Sequence, residues 1–325
     1  MTAGTELTSS TERVAVLALM GPTASGKTAA GVALAKEFDG EVISVDSALV
    51  YQGMDIGSAK PDLAEREGVP HHLIDVVPPW QPYSAAEFAA EAERLILQIS
   101  QRGRLPILVG GTGLYFRALL DGLSLMPESD PELRAQLQAE LASRGSVVLH
   151  QELQRIDPTA AGRIRPSDPQ RILRALEVFR LSGRAISDWQ AQGRRVRRKP
   201  FRCLKLVLAP ADRSRLHQRI AQRFEQMLDH GLIDEVRRLR SDPRIHADLP
   251  AMRAVGYRQV WQALDDPAAM SELSARGAAA TRQLAKRQLT WLRAEYDAFW
   301  IDSASSSPQR LLDQLRRRVG AFVPR

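Results

Sequence analysis

The sequence predicts an α/β fold, a parallel sheet flanked by helices and carrying an all-helical insertion. Three observations predict it. The octapeptide Gly21-Pro22-Thr23-Ala24-Ser25-Gly26-Lys27-Thr28 fits the phosphate-binding pattern G-x-x-x-x-G-K-[ST], which marks a P-loop NTPase-like core. Apolar runs alternate with helical patterns through the first 124 residues, as a parallel sheet covered on both faces requires. From Pro127 to about Arg198 the strand signal then stops.

The apolar run Val14–Met20 reads as the first strand, and a helical pattern from Gly26 to Phe38 follows the octapeptide. Strand, glycine loop and helix in that order form an anion trap, because loop N–H groups and the positive helix end face the same point. Lys27 is placed to reach across phosphate oxygens, and the Thr28 hydroxyl to hold Mg²⁺. Glu41–Val45 is the second strand and ends at Asp46. In an open parallel sheet, ligands bind beyond the carboxyl ends of the strands. Asp46 can therefore share a crevice with the loop, as a general base or a metal ligand. It can equally cap its own turn with Ser47. Tyr51–Pro61 reads as an ordered loop over that crevice, and His72–Val77 as a third strand. Ser84 and Glu87 form a capping box at the head of a helix running to Gln101.

Leu105–Val109 is the next strand, and it runs into Gly110-Gly111-Thr112-Gly113. These glycines permit a close backbone approach to a ligand, and Thr112 is either a contact or the cap of the next helix. A phosphoryl-transfer P-loop protein normally ends such a strand in an acid that helps hold Mg²⁺. Here that acid is missing, and Asp46 is the nearest substitute. The departure points to a phosphate binder with unusual chemistry.

Asp130-Pro131 and Asp168-Pro169 each open a helix, with the acid as cap and proline at the first helical position. The second helix stops near Ser182-Gly183, buries Ile172, Leu176 and Phe179, and carries Arg171 and Arg174 on one face. An exposed connection follows, with six basic residues in Arg194–Arg202 and no acid among them. Strand character returns at Cys203–Leu208 and Phe299–Ile301. Basic amphipathic helices are expected at about Arg213–Leu228, Ile233–Leu239, Ala254–Leu264 and Ser271–Asp297. The organisation expected is a tail over residues 1–13, a core from 14–124 with 200–325, and a helical insertion at 125–199.

Composition sets bounds. Apolar residues make up 44% and charged residues 26% of the 325, as in soluble globular proteins. The net charge of +7 and a pI of about 9.9 favour a polyanionic partner, nucleic acid or an acidic membrane surface. One cysteine, Cys203, excludes an internal disulfide and a Cys-rich zinc site, and fits a reducing, cytoplasmic setting. The Thr/Ser/Glu-rich first residues are expected to be disordered and to form neither signal peptide nor anchor. No apolar run approaches the roughly 18 residues that span a bilayer, so no membrane partner is expected.

These segments resemble the tRNA dimethylallyltransferases, also called tRNA isopentenyltransferases, of bacterial type. The likeness is carried by GPTASGKT (Gly21–Thr28), ISVDSALVYQGMDIGSAKP (Ile43–Pro61) and PILVGGTGLYFRALLDGL (Pro106–Leu123). It continues through DPQRILRALEV (Asp168–Val178), LHQRIAQRF (Leu216–Phe224), RAVGYRQVW (Arg253–Trp261) and TRQLAKRQLTWLR (Thr281–Arg293). The resemblance implies transfer of a dimethylallyl group from its diphosphate to N6 of the adenosine just 3′ of the anticodon. Gly21 to Thr28 would then bind dimethylallyl diphosphate, with Mg²⁺ on Thr28. Asp46, Thr112 and Arg223 would be catalytic, Asp46 as the base. The family's RNA contacts fall on Asp46, Ser47, Ala48, Leu49, Thr112, Arg134, Gln170, Arg171, Ile172, Leu173 and Arg174. They continue on Ala251, Met252, Arg253, Ala254, Val255 and Gly256. The helical insertion would grip the tRNA anticodon stem-loop, and a monomer is expected. Without the resemblance, a small-molecule P-loop kinase or a non-catalytic RNA-binding protein would also fit the loop and the charge.

Overall fold

The computed structural model describes residues 13–124, 126–192, 199–304 and 307–323. Six strands form one sheet in the order β3-β2-β4-β1-β5-β6. They are β1 (Val14–Met20), β2 (Gly40–Val45), β3 (His71–His72), β4 (Leu105–Gly110), β5 (Phe201–Ala209) and β6 (Phe299–Asp302). Every pairing is parallel. Strand alternation splits the core in two. Val16, Ala18 and Met20 of β1 face one cluster, while Leu17 and Leu19 face the other. Burial on both faces explains why β1 and β4 read as apolar runs.

β1 lies between β4 and β5, and β2 lies beyond β4. Parallel pairing brings their carboxyl ends to one edge, so the loops after Met20, Val45 and Gly110 are neighbours. That edge is where the sequence motifs converge.

The chain divides into two compact units. The described parts of Met1–Leu120 and Lys199–Arg325 form the first, and those of Asp121–Arg198 the second. The second unit has its own apolar core, built on Leu137, Leu149, Leu153, Ile172 and Leu176. No strand occurs among its described residues. Asp130 accepts the Leu133 N–H, and Asp168 the Arg171 N–H, so both expected caps are made. Its longest helical segment, Pro131–Ile156, is interrupted at Gly145, whose φ of 79° no β-carbon residue adopts cheaply. The carboxylate of Glu177, fully buried, receives the Ser129 hydroxyl at 2.5 Å and Arg174 at 2.9 Å, with Arg134 at 3.5 Å.

Some expectations are corrected. His72–Val77 is not a strand. Only His71 and His72 pair with β2, after which Leu73 (φ 58°) and Asp75 (φ 57°) turn the chain. Val77 then makes a single bridge to Tyr51. The apolar signal there was real, since Leu73 and Val77 are buried, but an irregular segment satisfies it. The helix expected from Ala254 begins at Tyr257, because Gly256 at φ 96° breaks the turn after a short 3₁₀ stretch, Ala251–Arg253. The long helix expected at Ser271–Asp297 is Leu273–Leu292, ending five residues early, and a short separate helix, Pro267–Ser271, precedes it. A terminal helix, Pro308–Phe322, was not anticipated. Ser307 caps it, and Leu315 and Val319 bury its inner face.

Both histidines at β3 have structural partners. His71 Nδ1 lies 2.8 Å from the Val69 carbonyl, and His72 Nε2 lies 2.6 Å from Glu41 Oε2. Burial alone would raise the Glu41 pKa. Hydrogen bonds from Arg102, His72 and Arg104 more than offset that and hold it at about 2. Residues 193–198, which hold the start of the basic run, and the tail residues 1–12 lie outside the described residues. Lys199 pairs with Glu93 at 2.6 Å, and Arg202 stacks on the Phe322 ring. Among the described residues no helix is long and apolar enough to cross a membrane.

Candidate active site

The phosphate-binding loop begins where β1 ends. Gly21 donates its N–H to the Gly110 carbonyl at 3.2 Å. A β-carbon at Gly21 would stand 2.4 Å from the Leu208 carbonyl oxygen, so only glycine fits between β1 and β5. Ala24 (φ 62°) and Gly26 (φ 88°) are both left-handed, which curls the loop N–H groups inward. The helix Lys27–Glu37 then starts with no side-chain cap, leaving its first N–H groups for an anion. Half-buried Lys27 has its Nζ 3.2 Å from the Pro22 carbonyl. Desolvation pushes its pKa down to about 8, against the pull of Asp46 and with a push from Arg223.

Asp46 and Thr112 resolve the choices that the sequence left open. Asp46 Oδ1 accepts the Ala48 N–H at 2.9 Å, so it does cap its own turn. The same carboxylate lines the cavity beside the loop and favours the charged forms of Lys27 and Arg223. Thr112 does not use its side chain to cap its own helix. Its Oγ1 accepts the Ser47 N–H at 3.1 Å, and its N–H donates to the Val45 carbonyl at 3.2 Å. Thr112 thereby fastens the turn after β4 to the turn that carries Asp46.

A second cation enters from the helix Arg213–Asp229. Arg223 Nη1 donates to Thr23 Oγ1 at 3.4 Å, while Arg219, one turn earlier, is exposed. Burial lowers the Arg223 pKa, with Asp46 opposing. Gln288, from the helix Leu273–Leu292, completes the frame. Its Oε1 accepts the Thr23 N–H at 2.8 Å, and its Nε2 donates to the Gly111 carbonyl at 3.2 Å. In the sequence Gln288 follows Lys286 and Arg287, and nothing local assigns it such a task. Its signal is an uncharged polar residue in a basic helix segment.

Beside this polar wall lies an apolar one. Ile220, Phe224, Met227, Val255 and Leu284 line a cavity of about 90 Å³ together with Thr23, Asp46 and Arg223. Gly57, Ser58 and Ala59 of the expected ordered loop form a further side. That loop is fixed from behind by Glu235, a residue the sequence reading missed. Its buried carboxylate accepts the N–H groups of Asp55 (3.0 Å), Ile56 (2.8 Å) and Gly57 (3.2 Å) and the Tyr257 hydroxyl (2.6 Å). The clue was available: Glu235 sits among Leu232, Val236 and Leu239 on the helix's apolar face. Lys60 ties the same loop down through Asp55, Asp75 and the Tyr51 carbonyl.

The remaining residues singled out from the sequence fall in two places. Ser47 is exposed, with Ala48 and Leu49 half-buried beside Asp46. Ala251 and Met252 are buried, Arg253 is exposed, and Ala254, Val255 and Gly256 line the cavity. In the helical unit, Gln170 and Arg171 are exposed. Ile172 and Leu173 are core, and Arg134 and Arg174 bind Glu177. Burial pushes the thiol of half-buried Cys203 up to about 12, which disfavours its thiolate.

Residues 49–295 match the model of the IPP transferase family. The chain belongs to the IPP transferase family. Curated members include a tRNA dimethylallyltransferase of Stenotrophomonas maltophilia, 57% identical over 319 residues, 97% of this chain and 99% of the relative. A counterpart from Xylella fastidiosa is 56% identical over 318 residues, 96% of this chain and 98% of the relative. Two solved structures are similar in fold. The full-length tRNA isopentenylpyrophosphate transferase of Bacillus halodurans is 37% identical with a TM-score of 0.71, covering 95% of this chain and 97% of that one. A eukaryotic dimethylallyltransferase, captured acting on tRNA, has a TM-score of 0.76 at 27% identity, covering 95% of this chain and 80% of its own. The P-loop core expected from the octapeptide is therefore the fold observed, and the chain is a transferase.

Proposed function

We propose that this IPP transferase moves a dimethylallyl group from dimethylallyl diphosphate to N6 of the adenosine just 3′ of the anticodon in tRNA, releasing diphosphate. One observation carries the reading: the phosphate-binding loop, through Thr23 and Ala24, and the cation Arg223 share one small cavity with an apolar wall. An allylic diphosphate is a polyanion at one end and a short hydrocarbon at the other. A nucleotide would set a polar ribose where this cavity is apolar, which disfavours the kinase alternative.

In the proposed reaction the donor's carbon–oxygen bond breaks and a carbon–nitrogen bond forms. The leaving diphosphate takes the electron pair while the allylic carbon gains positive charge. Lys27, Arg223 and the N–H groups of Gly26, Lys27 and Thr28 at the uncapped helix start stabilise the growing negative charge. Adenine N6 is a weak nucleophile because its lone pair is delocalised into the ring. It must lose a proton as it bonds to carbon, and Asp46 receives that proton. Thr112 holds the Asp46 turn through Ser47, and Gln288 holds the loop through Thr23. The apolar wall keeps water, a competing nucleophile, from the allylic carbon.

No cluster of three His, Cys, Asp or Glu that could cage a metal occurs among the described residues. A Thr28 hydroxyl completed by phosphate oxygens and water is a donor set that Mg²⁺ accepts. When bound there, Mg²⁺ would neutralise charge on the diphosphate. The target adenine has to leave its stack to reach Asp46. Gln170 and Arg171 of the helical unit are the exposed candidates for gripping the anticodon stem-loop.

The base assignment is tested with Asp46→Asn. That variant is expected to bind tRNA as the parent does, by gel shift, and to lose about 100-fold or more in single-turnover rate. Turnover equal to the parent would remove Asp46 from the mechanism.

A further inference from the structure

We infer that Phe224, seated against Gly277, limits the donor to a five-carbon chain. The inference rests on the allylic-diphosphate reading and deepens it. Ile220, Phe224 and Met227 stand at i, i+4 and i+7 on one helix and supply one side of the cavity's apolar wall. Phe224 is 2% exposed, and its ring tip rests on the backbone of Gly277 in the helix Leu273–Leu292. A β-carbon at Gly277 would lie 1.9 Å from the ring's Cζ, so no other residue leaves the ring where it is. On another flank, a β-carbon at Gly256 would come within 3.9 Å of Cε2. Gly277 itself does not line the cavity. The phenyl ring is therefore the partition between the cavity and the Gly277 backbone.

Size makes the partition selective. The cavity measures about 90 Å³. A closed apolar cavity of roughly 150 Å³ accepts benzene, six carbons. On that scale about 90 Å³ takes three to four carbons, the branched end of a five-carbon group, and a ten-carbon chain meets the Phe224 ring. Shortening Phe224 opens the cavity toward Gly277. Adding a methyl at Gly277 acts in the opposite sense. It pushes the ring off its seat toward the cavity that the ring already lines.

The test compares dimethylallyl and geranyl diphosphate as donors to unmodified tRNA, with products read as nucleoside masses. In the parent, geranyl transfer is expected to be far slower. Phe224→Ala and Phe224→Leu are expected to raise the geranyl-to-dimethylallyl ratio of kcat/KM by about tenfold or more. Gly277→Ala is expected to lower kcat/KM for dimethylallyl diphosphate by about tenfold, with inhibition by inorganic diphosphate unchanged. If Phe224→Ala does not fold, judged by circular dichroism, Phe224→Leu and Gly277→Ala decide. An active parent whose donor ratio stays the same in the folded Phe224 variants overturns the inference alone. A parent that alkylates tRNA with neither donor overturns the proposed function and the inference together.

Discussion

Lys27 shows how a side chain's surroundings set its use. The P-loop pattern alone says that a lysine reaches phosphate. The structure adds that desolvation holds this one at about 8, two to three pH units below the ordinary lysine. The sign follows. A lysine whose pKa is lower in the folded state costs stability when protonated, fully below about pH 8, and the cost disappears as pH rises toward 10.5. Lys27→Met is therefore expected to raise the melting temperature at pH 7 while weakening diphosphate binding. In the parent, kcat/KM for the donor should fall as pH rises through about 8, because the free enzyme loses its ammonium. A profile flat from pH 7 to 9.5, with Lys27→Met no more stable, would contradict this account. Asp46, Lys27 and the loop glycines were legible in the sequence because their chemistry is local. Gln288 was not, since its partners Thr23 and Gly111 lie far away in the chain.

Elements were legible where apolar period and caps agreed. β1, β2, β4 and the helix capped by Ser84 and Glu87 fall where the pattern puts them, within a residue or two. The His72–Val77 segment fails because a buried apolar run need not be a strand; two left-handed residues, neither of them glycine, decide its path. The loop Tyr51–Pro61 reads correctly as ordered, but what orders it was hidden. One carboxylate on another helix satisfies three successive N–H groups, and no local pattern announces that. Glu235→Ala would strand those three donors and the Tyr257 hydroxyl in a buried place. Each stranded group costs about 1–3 kcal/mol, so a loss of roughly 3 kcal/mol or more is expected in urea unfolding. A change under about 0.5 kcal/mol would mean that the loop is held by Lys60 instead.

The whole molecule joins a parallel α/β core to a separate helical unit, in a chain of net charge +7. Charge serves a polyanion best when it is exposed and unpaired, and some of it is committed to partners within the protein. Arg174 and Arg134 are committed to buried Glu177, and Lys199 to Glu93. Arg171 stays exposed at the head of its helix, within 3.4 Å of Asp168. Arg171→Ala is expected to weaken tRNA binding and to reduce the slope of log K against log salt by about one, as loss of a phosphate contact does. An unchanged slope would take Arg171 off the RNA. The account's central claim is that the P-loop here grips a leaving group and transfers no phosphoryl group. One measurement addresses it most directly: incubate the protein with unmodified tRNA, Mg²⁺, ATP and dimethylallyl diphosphate, then quantify N6-dimethylallyladenosine, diphosphate and ADP together. The account predicts modified nucleoside and diphosphate in equal amounts, with ATP intact. ADP formed without any modified adenosine would contradict it.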